Sequence, residues 1–292
     1  MQKKVRIGIV APARRLEEAT AERLNLAVAG LEPSVELKFH PHCFLAHGHF
    51  AGTDAQRTTA VVDYANDPTL DALWFARGGY GTGRIAADVL NQLGPSAGRK
   101  TYLGYSDCGF LLAGLYHQRI GQIAHGPLAN DILREGGTEA VARGLAFLAR
   151  GDSSTLESSL RAGIRAVAFN LTVLCHLLDT PLMPDLTGHV LALEETSEPL
   201  YRIDRSLGQL AQAGSLRKLA GVRLGRISDV VANDVDFGQS AEECVKFWCA
   251  KAAIPYLGIA DIGHDVGNKI VVFGGRVPEE RGDLRSNSRS TP

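Results

Sequence analysis

Residues Thr101–Phe110, TYLGYSDCGF, read as the join between a buried strand and a helix. Thr101-Tyr102-Leu103 is a short β-run, Gly104 breaks it, and FLLAGLYHQ (110–118) is apolar over a helical length. Ser106 therefore falls in a strand-to-helix turn. There a hydroxyl can project clear of a sheet while the turn's N–H groups face whatever it attacks. The spacing Gly104-x-Ser106-x-x-Gly109 differs from the G-x-S-x-G elbow of α/β-hydrolases. The purely structural use of the same serine is to cap the following helix.

The segments on either side repeat this strand–turn–helix unit. VRIGIVAPA (5–13) is a continuous apolar run, as expected of a strand covered on both faces of a parallel sheet. Ala21, Leu24, Val28 and Leu31 give Glu17–Leu31 a helical stripe. VELKFH (35–40) is a second strand, and 54–67 a helix capped by Thr53 or Asp54. DALWFARGGYG (71–81) is a third strand running into glycines, followed by a helix over 83–93 and a fourth strand at 100–105. The βαβαβα rhythm predicts a doubly wound, Rossmann-like α/β domain whose function gathers at the carboxyl ends of its strands. Ala11–Arg14, Arg77–Gly81 and Gly104–Asp107 all fall there. After a short strand and turn in 121–131 and a helix over 140–151, the polar stretch DSSTLESS marks a boundary. Strands IRAVAFN, HVLALEE, GVRLGRI and NKIVVFGG, with helices near 171–179, 201–213 and 239–251, then predict a smaller, β-rich α+β domain. The expected division is 1–150, a linker at 151–160, a second domain over 161–278, and a disordered tail at 279–292.

Composition bounds the partners. With a net charge of −1, the 292-residue chain carries no basic footprint for nucleic acid or an acidic membrane. The apolar run before Arg14 is too short for a signal-peptide core, and no run approaches a membrane span. The five cysteines (43, 108, 175, 244 and 249) follow no zinc-ribbon or C-x-x-C spacing, so reduced thiols in a cytoplasm are expected. His40, His42, His47 and His49, with Cys43 among them, form the one cluster with metal-like composition. It lacks a carboxylate and any H-E-x-x-H or C-x-x-C partner, so no metal is expected.

Three further stretches carry chemistry. RGGYGTG (77–83) is rich in glycine but matches G-x-G-x-x-A only loosely, and in the third βα turn. The first turn, where a dinucleotide fingerprint belongs, reads Ala11-Pro12-Ala13. Its other use is to bring backbone N–H groups up to a reacting carbonyl. In HVLALEETSEPLYRIDRSL (189–207), a strand ends in Glu194-Glu195, where a carboxylate could orient a histidine. His264 lies in a glycine-bearing loop of YLGIADIGHDVGNK (256–269), where an exposed imidazole could act as general base. His125 of AHGPL could line the same cleft as Ser106.

Taken together, IVAPA, FAGTDAQR (50–57), ARGGYGTGR (76–84), GYSD (104–107), HGP (125–127), LEETSEPLYRIDRSL (193–207) and GIADIGHDVGN (258–268) resemble the LD-carboxypeptidase family of serine peptidases. That family includes the murein tetrapeptide carboxypeptidases and the microcin C self-immunity proteins, and the YRIDR segment resembles the murein branch. The resemblance implies a Ser-Glu-His set at Ser106, Glu194 and His264, with an oxyanion hole from the N–H groups of Asp107 and Gly79. It implies a cytoplasmic, cofactor-free homodimer that releases terminal D-alanine from a muropeptide or stem-peptide substrate. An exopeptidase also needs a cation for the terminal carboxylate, and Arg77, Arg202 and Arg205 are candidates, with Tyr80 beside the loop as a further substrate contact. The rivals are a peptidase acting on peptidyl-adenylates and a non-catalytic binder of a small anion. Two departures stand out: Ala168-Phe169-Asn170-Leu171 where the family has GGNL, and Cys108-Gly109 after Asp107.

Overall fold

The computed structural model describes residues 4–160 and 163–275. The apolar runs of the first half form β1 (Val5–Val10), β2 (Val35–Phe39), β3 (Ala72–Phe75), β4 (Thr101–Gly104) and β5 (Gln122–His125), all parallel. Between and after them run α1 (Glu18–Leu31), α2 (Asp54–Asn66), α3 (Thr82–Leu90), α4 (Gly109–His117) and α5 (Gly137–Arg150). Thr53 starts α2 through a capping box with Gln56, so the first of the two expected caps is the one used. Parallel strands need crossovers that cover both faces, which is why β3 is buried at every residue. Neighbours in the sheet follow the order β5, β4, β3, β1, β2, so the winding reverses at β1. The loops leaving β1, β3, β4 and β5 thus emerge side by side at one edge, where such sheets place their ligands.

The second sheet contains β6 (Ala166–Asn170), β7 (Val190–Thr196), β8 (Gly221–Ser228) and β9 (Tyr256–Ile259) in sequence order. Every pair is parallel, with α6 (Leu171–Leu177), α7 (Leu200–Gln212) and α8 (Ala241–Ala252) as the crossovers. The smaller half is therefore α/β in its own connections, where α+β was expected. NKIVVFGG also departs from expectation. Its strand, β10 (Val271–Val272), leaves the smaller sheet and pairs antiparallel with β5, Val271 opposite His125. Two residues pair wherever an open edge meets them, and β5 supplies that edge. The stretch 151–160 is likewise anchored: Leu156 and Leu160 are buried, and Leu156 bridges to Ile270. The expected tail at 279–292 lies outside the described residues.

One apolar cluster runs through both halves, from Val89 and Leu112 past Phe169 and Leu174 to Leu207 and Val245. The opposite face of the first sheet packs on Trp74, which is fully buried and donates its indole N–H to the Pro127 carbonyl at 2.7 Å. A Cβ added at Gly144 would lie 2.9 Å from that ring, so the glycine is what lets α5 approach. Trp74→Phe leaves the buried Pro127 carbonyl without its donor. We expect a loss of about 1–3 kcal/mol, measured as a melting temperature lowered by several degrees; an unchanged melting temperature would contradict this account.

Candidate active site

The site begins with backbone constraint. A Cβ at Gly104 would come within 2.7 Å of the Phe75 ring, so β4 must end on glycine. Tyr105 is extended at φ −155, and Ser106 then turns to φ +60 before the chain tightens into α4. A non-glycine residue held at positive φ costs about 1–3 kcal/mol. Here that conformation turns the chain sharply at the nucleophile position, like a hydrolase elbow reached by a different glycine spacing. Gly78 presses against this turn, since its Cβ would lie 3.0 Å from Ser106 Oγ. Gly79 adopts φ +112, and a Cβ there would meet Arg14 at 2.4 Å.

Two distant residues complete a hydrogen-bonded series. His264 Nε2 is 3.1 Å from Ser106 Oγ, and its Nδ1 bonds Glu194 Oε2. Glu194 is wholly buried, and its Oε1 has no hydrogen-bond partner among the described residues. Burial pushes the Glu194 carboxyl up and His264 pulls it back. Burial also pulls the His264 imidazole down, but the charge and hydrogen bond of Glu194 outweigh it, so His264 titrates above its ordinary 6.5. The rise in His264 is the direction enforced by the contact, because imidazolium is the one cation on this buried carboxylate among the described residues. Such a series can draw the proton from a serine hydroxyl and stabilise the imidazolium that results.

Glu195 has a different task. Its carboxylate accepts from Asn170 Nδ2 at 2.6 Å, from the N–H and hydroxyl of Thr172 at 2.8 and 2.7 Å, and from Thr196 N–H at 2.9 Å. Asn170 in turn accepts from Val173 N–H and caps α6. The Ala168–Leu171 departure therefore keeps its asparagine as a cap.

His264 was expected in an exposed loop, yet its side chain is only 10% exposed and the loop is pinned. Arg226 of β8 bonds both Asp261 and Asp265, while Arg143 of α5 donates to the carbonyls of Val266 (2.7 Å) and Asn268 (3.1 Å). Glu157, buried in the 151–160 stretch, accepts from Asp261 N–H at 3.2 Å.

The cleft over Ser106 is lined by Arg14, Arg77, Gly78, Gly79, Tyr105, Leu128, Asn130, Asp131, Arg134 and His264. Arg134 pairs with Asp131, but neither Arg14 nor Arg77 has an ion-pair partner among the described residues. Burial and then the charge of Arg14 lower Arg77. Guanidiniums placed in this way beside Ser106 can receive a carboxylate. Arg77 is in the cleft over Ser106. Arg202 is not: it lies on α7 against Glu198 (3.3 Å) and Tyr201, lining a separate depression, and Arg205 stacks over Tyr201. Tyr80 is outside the lining, 57% exposed, and packs on Phe50 and His49. His125 does not line the cleft either; it is buried behind Tyr105, with ring centroids 5.6 Å apart, and burial followed by the charge of His264 pushes it down to about 3. Cys108 is outside the cleft lining, with its buried thiol 3.8 Å from the carbonyl of the cleft residue Arg77, and burial raises that thiol. In the histidine cluster, His40 meets Asp63 and His42 meets the Gln56 carbonyl. Among the described residues no group of three His, Cys, Asp or Glu could hold a metal ion. Sequence reasoning missed Arg14, Asn130, Asp131 and Arg134; only the strand-end position of Arg14 signalled it.

Two outcomes follow from this geometry. Ser106 should react with a serine-directed phosphonate only while His264 is neutral, so labelling should rise with pH through a midpoint above 6.5. Glu194→Gln removes the charge that favours imidazolium and should move that midpoint down; an unmoved midpoint would break the assigned contact. Gly79→Ala must fit a side chain at φ +112 against Arg14, and its labelling rate should fall about 10²-fold or more if one oxyanion donor is displaced.

Residues 7–126 match the LD-carboxypeptidase N-terminal domain and residues 165–278 the LD-carboxypeptidase C-terminal domain. The "Probable murein peptide carboxypeptidase" of Bacillus subtilis is 30% identical over 273 residues, covering 88% of this chain and 83% of the relative. The "Murein tetrapeptide carboxypeptidase" of Pseudomonas aeruginosa is 26% identical over 305 residues, covering 96% and 94%. Among solved structures, the muramoyltetrapeptide carboxypeptidase from Oxalobacter formigenes superposes with a TM-score of 0.75 at 24% identity, over 91% of this chain and 93% of that one. The wild-type apo microcin C7 self-immunity protein MccF does so at 0.73 and 16%, over 95% and 98%. These two likenesses speak to the fold alone; with both domains matched and a relative at 30% identity along most of its length, the chain belongs to the LD-carboxypeptidase family and is an enzyme of the carboxypeptidase class.

Proposed function

We propose that this carboxypeptidase is of the serine type, needs no metal, and releases terminal D-alanine from peptidoglycan stem tetrapeptides in cell-wall recycling. The observation that carries the reading is the series Ser106–His264–Glu194, placed beside two arginines that lack acidic partners. His264 Nε2 takes the hydroxyl proton as Ser106 Oγ bonds the scissile carbonyl carbon. The N–H groups of Asp107 and Gly79 hold the oxyanion. His264 then gives its proton to the departing D-alanine amine, leaving an acyl ester on Ser106. A water, deprotonated by His264, attacks that ester, and Ser106 recovers its proton. Arg77, joined by Arg14, receives the terminal carboxylate, and Tyr80 edges the mouth. Arg202 is left out of the proposed substrate contacts because it lines a separate depression, beside Glu198. Murein names among the relatives favour the stem-peptide substrate over a peptidyl-adenylate. A cytoplasmic homodimer belongs to the same reading.

The test is D-alanine release from a stem tetrapeptide. Wild type should release it, and Ser106→Ala should lower turnover at least about 10³-fold with the fold intact. Arg77→Gln should raise KM about 10- to 100-fold, the worth of one charged hydrogen-bond pair, while kcat stays within a few-fold. A chelator should leave the rate unchanged; loss of activity would reopen the His40–His49 cluster. No release by wild type would shift the assignment to peptidyl-adenylates or to ligand binding.

A further inference from the structure

We infer that the Asp107 side chain is a positioning group that locks the two halves of the oxyanion hole to each other. The inference rests on the hole proposed above and adds how it is held. Asp107 and Gly79 belong to different loops, one after β4 and one after β3. Asp107 Oδ2 accepts the N–H of Thr82 at 2.8 Å, and Asp107 as a residue is only 4% exposed. Thr82 opens α3, whose N-cap is Gly81, a residue with no side chain to satisfy the helix's free N–H groups. The cap therefore comes from the neighbouring turn. On the other side of the same peptide link, the buried Arg57 guanidinium donates to the Gly81 carbonyl at 2.9 Å and also to the Pro12 carbonyl.

Gly81 itself, at φ +132, has Phe50 and Arg57 within 2.9 Å of where a Cβ would stand. The glycine loop is thus clamped at one end by a carboxylate on an N–H and a guanidinium on the adjacent C=O. The carboxylate belongs to the residue whose own N–H follows Ser106. One residue would supply a donor with its main chain and fix the partner donor's loop with its side chain. A mere helix cap would affect stability; a lock between the two donors must also affect turnover, because an oxyanion is held only when both donors converge on it.

The experiment compares Asp107→Ala, which removes the acceptor, with Asp107→Asn, which keeps one. Hydrogen–deuterium exchange over residues 78–84 reads the clamp independently of any activity. Stem-tetrapeptide kinetics read the hole. In Asp107→Ala, exchange of this segment should quicken at least tenfold. Its kcat should fall about 10²-fold, as for loss of one oxyanion donor, with KM within threefold. Asp107→Asn should recover most of both losses. Asp107→Leu keeps the bulk of the side chain without an acceptor, and should reproduce the alanine result if Asp107→Ala folds poorly. The inference is overturned if the alanine variant exchanges as slowly as wild type, if asparagine is as impaired as alanine, or if KM rises as much as kcat falls. Should wild type release no D-alanine, the proposed function fails while the exchange arm still decides the clamp.

Discussion

A carboxylate with no access to water sits towards the end of β7, and its one cationic partner among the described residues is an imidazole from another part of the chain. Burying such a charge costs several kcal/mol unless a partner compensates it, so Glu194 and His264 can be buried only together. Glu194 belongs to the smaller sheet and Ser106 to the larger, and His264 touches both. The route of the chain makes this contact possible. After β9 it leaves the smaller sheet and runs back to pair β10 with β5, beside the strand that leads into the Ser106 turn. The loop that carries the imidazole is the segment that spans this return.

Much of this was legible in the sequence because it follows from local pattern. Apolar runs separated by helical stripes gave the parallel sheet, and glycines at strand ends marked the turns of Ser106 and Gly79. The choice between Glu194 and Glu195 came from the family resemblance, and it has a physical basis in the strand itself. Successive side chains of a strand face opposite sides, so one glutamate meets His264 while its neighbour meets the start of α6. What stayed hidden depends on topology. Arg14, Arg77 and Arg134 are far apart in sequence and meet only because β1, β3, β4 and β5 are adjacent. β10 is two residues long and carries no pattern of its own. The i,i+4 spacing of Glu198 and Arg202 already allowed a pair between them, but only the fold shows that Arg202 lines a depression apart from the one over Ser106.

The glycines of the 78–81 loop show why the strain at Ser106 is tolerable. Gly78 leaves room for the serine at positive φ, Gly79 leaves room for Arg14, and Gly81 leaves room for Phe50 and Arg57. Each missing Cβ is a place where another group has moved in. The loop is close-packed rather than loose, and a donor held in a packed loop needs no reorganisation when charge develops in front of it.

Arg134 of the cleft wall bears on His264 as well as on Asp131. Burial and then the two glutamates act on His264 in opposite directions, with Glu194 and Glu195 favouring imidazolium and Arg134 opposing it. A general base works best when its pKa lies near the operating pH, and an imidazole facing two carboxylates alone would be held protonated and unable to accept the serine proton. The cation that opposes them is part of the same cleft wall that gathers Arg14 and Arg77. A chain with a net charge of −1 thus concentrates positive charge at one edge of its larger sheet. Such a cluster suits a carboxylate-ended substrate of the kind proposed, while burial first and Arg134 last hold the His264 imidazole back from over-stabilisation as a cation.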